Sequence, residues 1–375
     1  MEPFKNLINA LTVRDCAQHL KRAWPKFDSD RFEALALTGL DELEFKARAE
    51  HLCTALEATL PAEFSTAAAI LEASLAPVEP AGELKSRTIS AAGLAGWAVW
   101  PLTTFVARNG LDSPQRALQA LHAMTQRFTA EFAIRPYIAA HPELSFAVLQ
   151  EWTRDANPQV RRLVSEGSRP RLPWGLQLKA LIADPAPTLP LLEALQDDAS
   201  DSVRRSVANH LNDIAKDHPA LVVAWVERHL RGASPQRTAM LKHASRTLIK
   251  RGHAPMLKLW GVAQRLRGDV QFKLAKRRAS VGDSLELQLH IASTSNRAQK
   301  LAIDYAVHHV KANGRTSPKI FKGWKLDLAP HESRELRKSH SLRPVTTRRY
   351  HPGRHVIEIR INGATAAHAG FELRV

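Results

Sequence analysis

The feature that most constrains this chain is a change of period near Arg267-Gly268-Asp269. Before it, apolar residues recur three and four apart, as in Leu43, Ala47, Leu52, Leu56 and Leu60, or Leu7, Leu11, Cys16, Ala17 and Leu20. That spacing lines one face of a helix. After it, apolar and polar residues alternate in the runs Val270–Leu274, Leu285–Ile291, Val356–Ile361 and Gly370–Val375. Alternation with period two marks half-buried strands. Short connections punctuate both parts: "PAEF" at 61, "APVEPAG" at 76, "NGLDSPQ" at 109 and "HPEL" at 141 among the helices, then "SVGDS", "KANGRTSP", "LAPHES", "YHPGR" and "INGA" among the strands. A helical domain over 1–267 and a β domain over 268–375 are therefore predicted.

The helical part repeats itself. Asp155-Ala-Asn-Pro-Gln-Val160-Arg161-Arg162 aligns with Asp198-Ala-Ser-Asp-Ser-Val203-Arg204-Arg205, an offset of 43 residues (155 to 198). Upstream, "AVLQEWTRD" matches "PLLEALQDD" in the same register, and a weaker third copy starts at Ser234-Pro-Gln-Arg237. A helix, a short Asp-bearing turn and a second helix at this period describe HEAT-like repeats, which stack into a solenoid. The fold class expected is mainly α: a HEAT-like α-solenoid followed by an immunoglobulin-like β-sandwich. The β part lacks a Cys…Trp…Cys pattern, so it is not an antibody-type domain.

Charge is unevenly spread. Residues 1–110 hold 11 Lys and Arg against 14 Asp and Glu, residues 111–268 hold 22 against 14, and residues 269–375 hold 20 against 9. The first third is ordinary and the rest is cationic, which suits a polyanionic partner, nucleic acid being the commonest. Cys16 and Cys53 are too few for a disulfide scaffold and lack CxxC spacing. No HExxH or Cys/His cluster organises the 17 histidines, so neither a metal nor another cofactor is expected. No apolar run reaches the ~18 residues of a membrane span, and the N-terminus has no signal-peptide core. A monomeric protein of the bacterial cytoplasm, acting at the nucleoid and not on a membrane, is expected.

Three stretches carry a resemblance: Glu131-Phe-Ala-Ile-Arg-Pro-Tyr137, then Arg161-Arg-Leu-Val-Ser-Glu-Gly-Ser-Arg-Pro-Arg-Leu-Pro-Trp174, then Val203-Arg-Arg-Ser-Val-Ala-Asn209-His210-Leu-Asn-Asp213. With the basic C-terminal β-domain, they resemble the HEAT-like-repeat DNA alkylation-repair glycosylases, AlkC branch, over most of the chain. The sister AlkD branch is known for a Trp/Asp pair in its first active-site helix. The segment "EFAIRPY" has a glutamate and no tryptophan there, which favours AlkC. The resemblance implies hydrolysis of the N-glycosidic bond of cationic alkylated bases, N3-methyladenine and N3-methylcytosine, in duplex DNA without base flipping. It implies double-stranded DNA as partner.

That chemistry needs few groups. A base alkylated on a ring nitrogen leaves as a neutral molecule, so no acid must protonate it. The difficulty is positive charge on the deoxyribose, which a carboxylate stabilises while orienting or deprotonating water. Glu131, Glu166 and Asp213 are the candidates, with Glu131 expected in an apolar helix beside Phe128 and Phe132. Arg161, Arg162, Arg204 and Arg205 are expected to keep them ionised. An acid beside Arg in a HEAT repeat also serves as a structural ion pair, and both readings stand here. Trp174, expected where a helix begins, stacks on a sugar or lesion cation or else anchors a loop. Trp97, Trp100, Trp152, Trp225 and Trp260 read as core. Arg135, Arg162, Arg169, Arg171, Arg205, Asn209, His210 and Lys216 are candidate DNA contacts. In the β-domain, Lys276-Arg277-Arg278 and Thr347-Arg348-Arg349-Tyr350-His351 are basic turns that would extend the grip. A non-catalytic nucleic-acid scaffold and a protein-interaction adaptor are the competing readings; a scaffold would scatter the three acids, whereas an enzyme would bring them together.

Overall fold

A computed structural model describes residues 4–78, 88–261, 265–345 and 348–375. The expected loop through 79–82 and Thr347 of the basic turn lie outside them. The chain divides into two compact units, Met1–Asp217 with Ala233–Ala244, and His218–Gly232 with Ser245–Val375. The second unit thus takes in helices that precede the period change at 267.

The helical unit begins with α1 (Ala10–Ala23), α2 (Ser29–Leu37), α3 (Phe45–Thr59) and α4 (Phe64–Ala73). It continues with α5 (Val99–Asn109), α6 (Pro114–Thr125), α7 (Arg135–Ala140), α8 (Pro142–Trp152), α9 (Pro158–Gly167), α10 (Lys179–Ala183), α11 (Leu189–Leu195) and α12 (Asp201–Ile214). Of the later helices, α13 (Pro219–Leu230), α15 (Arg246–Arg251) and α16 (Ala254–Leu259) belong to the second unit, and α14 (Pro235–Ala244) to the first. Side-chain caps fix several starts: Asn9 accepts from Thr12 N at 3.1 Å, and Glu63 accepts from Ser65 N and Thr66 N at 2.7 and 2.6 Å. Pro114, Pro142, Pro158, Pro219 and Pro235 open their helices, where a missing N–H costs nothing. Leu7 and Leu11, expected on a buried stripe, are 43% and 63% exposed. Val13, Cys16, Ala17 and Leu20 carry that face instead.

The repeat is built from matching hydrogen bonds. Arg161 Nη1 donates to Asp155 O and Ala156 O at 2.7 and 3.0 Å, and Arg204 Nη1 donates to Asp198 O and Ala199 O at 2.5 and 2.8 Å. Asp155 and Asp198 each accept the N–H two residues on, at 2.7 and 2.8 Å. One motif thus brackets the turn before α9 and again before α12. It also links neighbours: Arg161 grips the Asp198 carboxylate through Nε and Nη2 at 2.6 and 3.0 Å. In the weaker third copy, Arg237 of α14 pairs with Asp197.

The second unit holds a sandwich of eight described strands: β1 (Gly268–Leu274), β2 (Arg278–Ser280), β3 (Ser284–Ser293), β4 (Gln299–Val310), β5 (Thr316–Leu328), β6 (Ser333–Ser341), β7 (Gly353–Ile361) and β8 (Ala364–Arg374). One sheet runs β1-β3-β6 and the other β2-β8-β7-β4-β5, with β2 parallel to β8. Leu285, Leu287, Leu289 and Ile291 face Ile303, Tyr305, Val307, Ile357, Ile359 and Phe371 across the core. Strand β6 is polar along most of its length, whereas β4 alternates through Leu301, Ile303, Tyr305 and Val307, and β5 through Trp324, Leu326 and Leu328 among its lysines. Gly252, ending α15, and Gly363, in the β7–β8 turn, both have positive φ. They touch so closely that a Cβ on Gly252 would stand 2.4 Å from Gly363 O.

Candidate active site

The three acids come together. Each stands on or just before a helix of the repeat array: Glu131 in the turn before α7, Glu166 near the end of α9, Asp213 near the end of α12. Glu131 is therefore not on a helix. The turn Ala130–Ile134 closes through Ile134 N to Ala130 O, because the chain must bend before Pro136 at the start of α7.

Arg162 Nη2 lies 3.0 Å from Glu131 Oε2 and 4.0 Å from Glu166 Oε2. Arg169 Nη1 donates to Glu166 Oε1 at 2.6 Å, and its Nε to Asp213 Oδ2 at 2.8 Å. Lys216 Nζ donates to Asp213 Oδ1 at 2.7 Å. Three carboxylates and three cations thus alternate in one chain, Glu131–Arg162–Glu166–Arg169–Asp213–Lys216. Burial alone would raise the Glu166 pKa, but Arg162 and Arg169 outweigh it and hold the carboxyl below its ordinary value. Burial likewise works against Arg169, and Glu166 and Asp213 more than restore it.

The network grades from closed to open. Asp213 and Glu166 are 1% and 5% exposed, and both oxygens of each have partners. Glu131 keeps 14% of its side-chain surface. Thr129 Oγ1 and Arg162 both approach its Oε2. No donor among the described residues reaches its Oε1. Ser206, donating to Glu166 Oε2 at 2.6 Å, and Thr129, donating to Glu131 at 2.7 Å, join the site without having been candidates. The only sequence signal for Thr129 is its place two residues before an acid.

The expected DNA contacts sort by burial. Trp174 stands in a turn, not at a helix start, with φ +64° and 76% exposure, so the loop-anchoring core role is excluded. With Trp100, Phe132 and Leu176 it lines a cleft of about 160 Å³, and Phe132 follows Glu131 directly. Arg135 is fully buried and reaches no phosphate. It bonds none of the three acids; its Nε donates to Leu176 O at 2.6 Å and its Nη1 to Gly167 O and Arg169 O at 2.8 Å each. Burial, with Arg169 adding, draws its pKa down to about 10. Each charge-assisted bond contributes ~1.5–3 kcal/mol, which offsets part of the guanidinium's desolvation.

Arg169 is also removed from phosphate contact by its burial between Glu166 and Asp213. His210 is fully buried with Nδ1 2.9 Å from Ser165 O, and burial lowers its pKa to about 4, so it is neutral and cannot touch DNA. Lys216, Arg162, Arg171 and Arg205 keep 35%, 24%, 31% and 69% of their side-chain surface; Arg171 pairs with Asp217 and Arg205 with Asp201. Asn209 is partly exposed and meets His243 Nε2 at 3.0 Å. Arg161 and Arg204 serve the repeat turns and Arg205 an exposed acid, so of the four arginines expected to hold the carboxylates only Arg162 does. Of the tryptophans expected in the core, Trp100 and Trp225 are buried, whereas Trp97, Trp152 and Trp260 are partly exposed.

In the second unit, Arg277 and Arg349 are exposed, and Arg278, expected in a turn, begins β2. Arg348 donates to His309 Nε2 at 2.7 Å and lies over Tyr350. No helix of the described residues is long and apolar enough to cross a membrane.

Known proteins share this architecture. Residues 125–248 match the family described as DNA alkylation repair enzyme, and residues 269–375 match the C-terminal Ig-like domain of the uncharacterised protein YhaZ. YhaZ of Bacillus subtilis (strain 168) is 35% identical over 377 residues, covering 100% of both chains. The alkylpurine DNA glycosylase AlkC of Pseudomonas fluorescens, solved bound to DNA containing an abasic site analog, is 34% identical, covers 100% of both chains and has a TM-score of 0.89. On this similarity over its whole length, the chain belongs to the DNA alkylation repair enzyme family, in the branch that contains AlkC and YhaZ.

Proposed function

We propose that the chain is a monofunctional DNA glycosylase. It hydrolyses the N-glycosidic bond of cationic alkylated bases, N3-methyladenine and N3-methylcytosine, in duplex DNA and leaves an abasic site. The observation that carries this reading is the single ion network of Glu131, Glu166 and Asp213, partly open to solvent at Glu131, whose chain neighbour Phe132 lines the Trp174 cleft.

In the proposed reaction the C1′–N bond breaks and its electron pair returns to the ring nitrogen, neutralising the base. Positive charge develops on the sugar. The unbonded Glu131 Oε1 faces that charge, and Glu166 and Asp213 add to the field. A water oxygen bonds to C1′ and gives its proton to a carboxylate. Lys216 is exposed enough to move to a DNA phosphate, which would release Asp213 Oδ1 to orient that water. Trp174 stacks on the lesion or its sugar, a cation–π contact of ~2 kcal/mol when desolvated. The base need not be flipped out, because the carboxylates act on the sugar. Arg162, Arg171, Arg205, Asn209, Arg277, Arg278, Arg348 and Arg349 contact the duplex.

Incubation with a duplex bearing one N3-methyladenine or N3-methylcytosine, scored for abasic sites, tests this. Release of either base supports it. Tight DNA binding without release of either would leave a non-catalytic scaffold.

A further inference from the structure

We infer that Arg135 is a positioning residue: it holds the loop from Gly167 to Leu176 so that Arg169 stands in the carboxylate network and Trp174 at the cleft it shares with Phe132. Between Gly167 and Lys179 the chain forms no helix or strand. Inward-facing carbonyls of such a segment need donors from elsewhere. Arg135 supplies them to Gly167, Arg169 and Leu176, at both ends of the loop, at 2.6 to 2.8 Å. A guanidinium presents donors on separate nitrogens in one fixed plane, as Nε and Nη1 do here, whereas an ammonium places all three on one freely rotating atom.

Two details tie this grip to the site. Arg169 is held by its carbonyl to Arg135 while its side chain bridges Glu166 and Asp213. Trp174 lies two residues before Leu176 in a left-handed conformation that a tryptophan rarely adopts unaided. Gly175 lets the arginine in: a Cβ there would stand 3.3 Å from Arg135 Nε and 3.1 Å from Leu172 Cδ2. The Arg135 Nη2 atom is buried without a partner. A side chain chosen for burial alone would not leave a charged donor unpaired there. Arg135 therefore acts through the loop and not on the substrate.

The catalytic consequence rests on the function proposed above; the structural one does not. The test labels the full chain with 5-fluorotryptophan, assigns Trp174 by Trp174→Phe, and follows the fluorine signal in Arg135→Lys and Arg135→Ala. The expected result is a displaced or averaged Trp174 signal in both variants, with the tryptophans outside the cleft it shares with Trp100 unmoved. Single-turnover base release should fall at least 30-fold while DNA affinity stays within threefold. Added guanidinium should restore release by Arg135→Ala at least tenfold. Should Arg135→Ala not fold, Arg135→Lys gives the same fluorine readout. An unmoved Trp174 signal in folded Arg135→Lys overturns the inference. If wild type releases no base, the proposed reaction fails, and the Trp174 signal still decides the positioning role.

Discussion

The two units bury titratable groups in opposite ways. In the helical unit, Glu166 and Asp213 go into the interior as ions, each held by Arg169 and by a second donor. In the sandwich, His309, His340 and His355 go in as neutral rings, at 6%, 5% and 0% exposure. One nitrogen of each has no partner, and the charges facing His309 and His340 are Arg348 and Lys319. Paired ions remain charged at neutral pH and keep a field available to a substrate. Unpaired imidazoles are tolerable only while they stay uncharged. The first arrangement suits chemistry, and the second makes a core whose stability depends on pH.

The largest effect should come from the network. Glu131→Gln keeps shape and removes the open carboxylate, so base release should drop ~10²–10³-fold with little change in melting temperature. Asp213→Asn should cost as much activity and, by orphaning Arg169 and Lys216, destabilise by ~3–5 kcal/mol. Thermal melts beside single-turnover assays separate the two, and full activity in both variants would remove these acids from the reaction.

Acid comes next. Burial lowers His309 to about 3 and His340 to about 4, with Arg348 adding to both, and burial lowers His355 as well. Because the folded pKa values lie below 6.5, the unfolded state binds more protons once the pH drops under that value. Stability is therefore intact above pH 6.5 and lost as the pH falls toward 4, by up to ~1.4 kcal/mol per histidine per pH unit. Tyr305, whose hydroxyl lies 3.0 Å from His340 Nδ1, and His351, whose carbonyl meets His355, complete the cluster, and Glu372 opposes only the His355 shift. In the helical unit burial also lowers His210, to about 4, and lowers His19. Glu166 gives way only below pH 4.5, because its folded pKa is depressed. Hydrogen exchange at pH 5 should open β4, β6 and β7 before the histidine-free α9; the reverse order would break the contrast.

The helices and the 43-residue repeat are legible in the sequence because they are local: the Asp and Arg that bracket each turn make bonds within six residues, whereas the acid candidates rest on the family resemblance, since Asp213 and Arg169 meet across 44 residues. The histidine cluster is not legible. β6 looks polar and His309 sits in a His-His pair at the end of β4, and only pairing β4 with β7 and laying β6 opposite puts those rings inside. Nor does the sequence reveal that Arg135 and Arg48 are buried. Both direct their donors to carbonyls, and those of Arg48 at Ile8 and those of Arg135 at Leu176 lie about forty residues away in the chain. A charge reads as exposed until the fold closes over it.

Smaller effects refine the comparison at the surface. Arg277→Gln with Arg278→Gln should weaken duplex binding severalfold and reduce its salt slope by ~1 for each phosphate no longer neutralised. An unchanged slope would remove these residues from the interface. Smallest of all, Trp174→Gly should relieve the left-handed backbone and stabilise the helical unit by ~1 kcal/mol, although base release falls.

The apposed glycines at 252 and 363 decide where this protein can be cut. Neither position tolerates even a methyl group, so the end of α15 and the β7–β8 hairpin are fitted as one surface. A fragment begun at the period change would strip that cover and leave the hairpin tip wet. An engineer seeking the sandwich alone should retain residues 245–267, and a graft onto another solenoid should carry them as part of the insert.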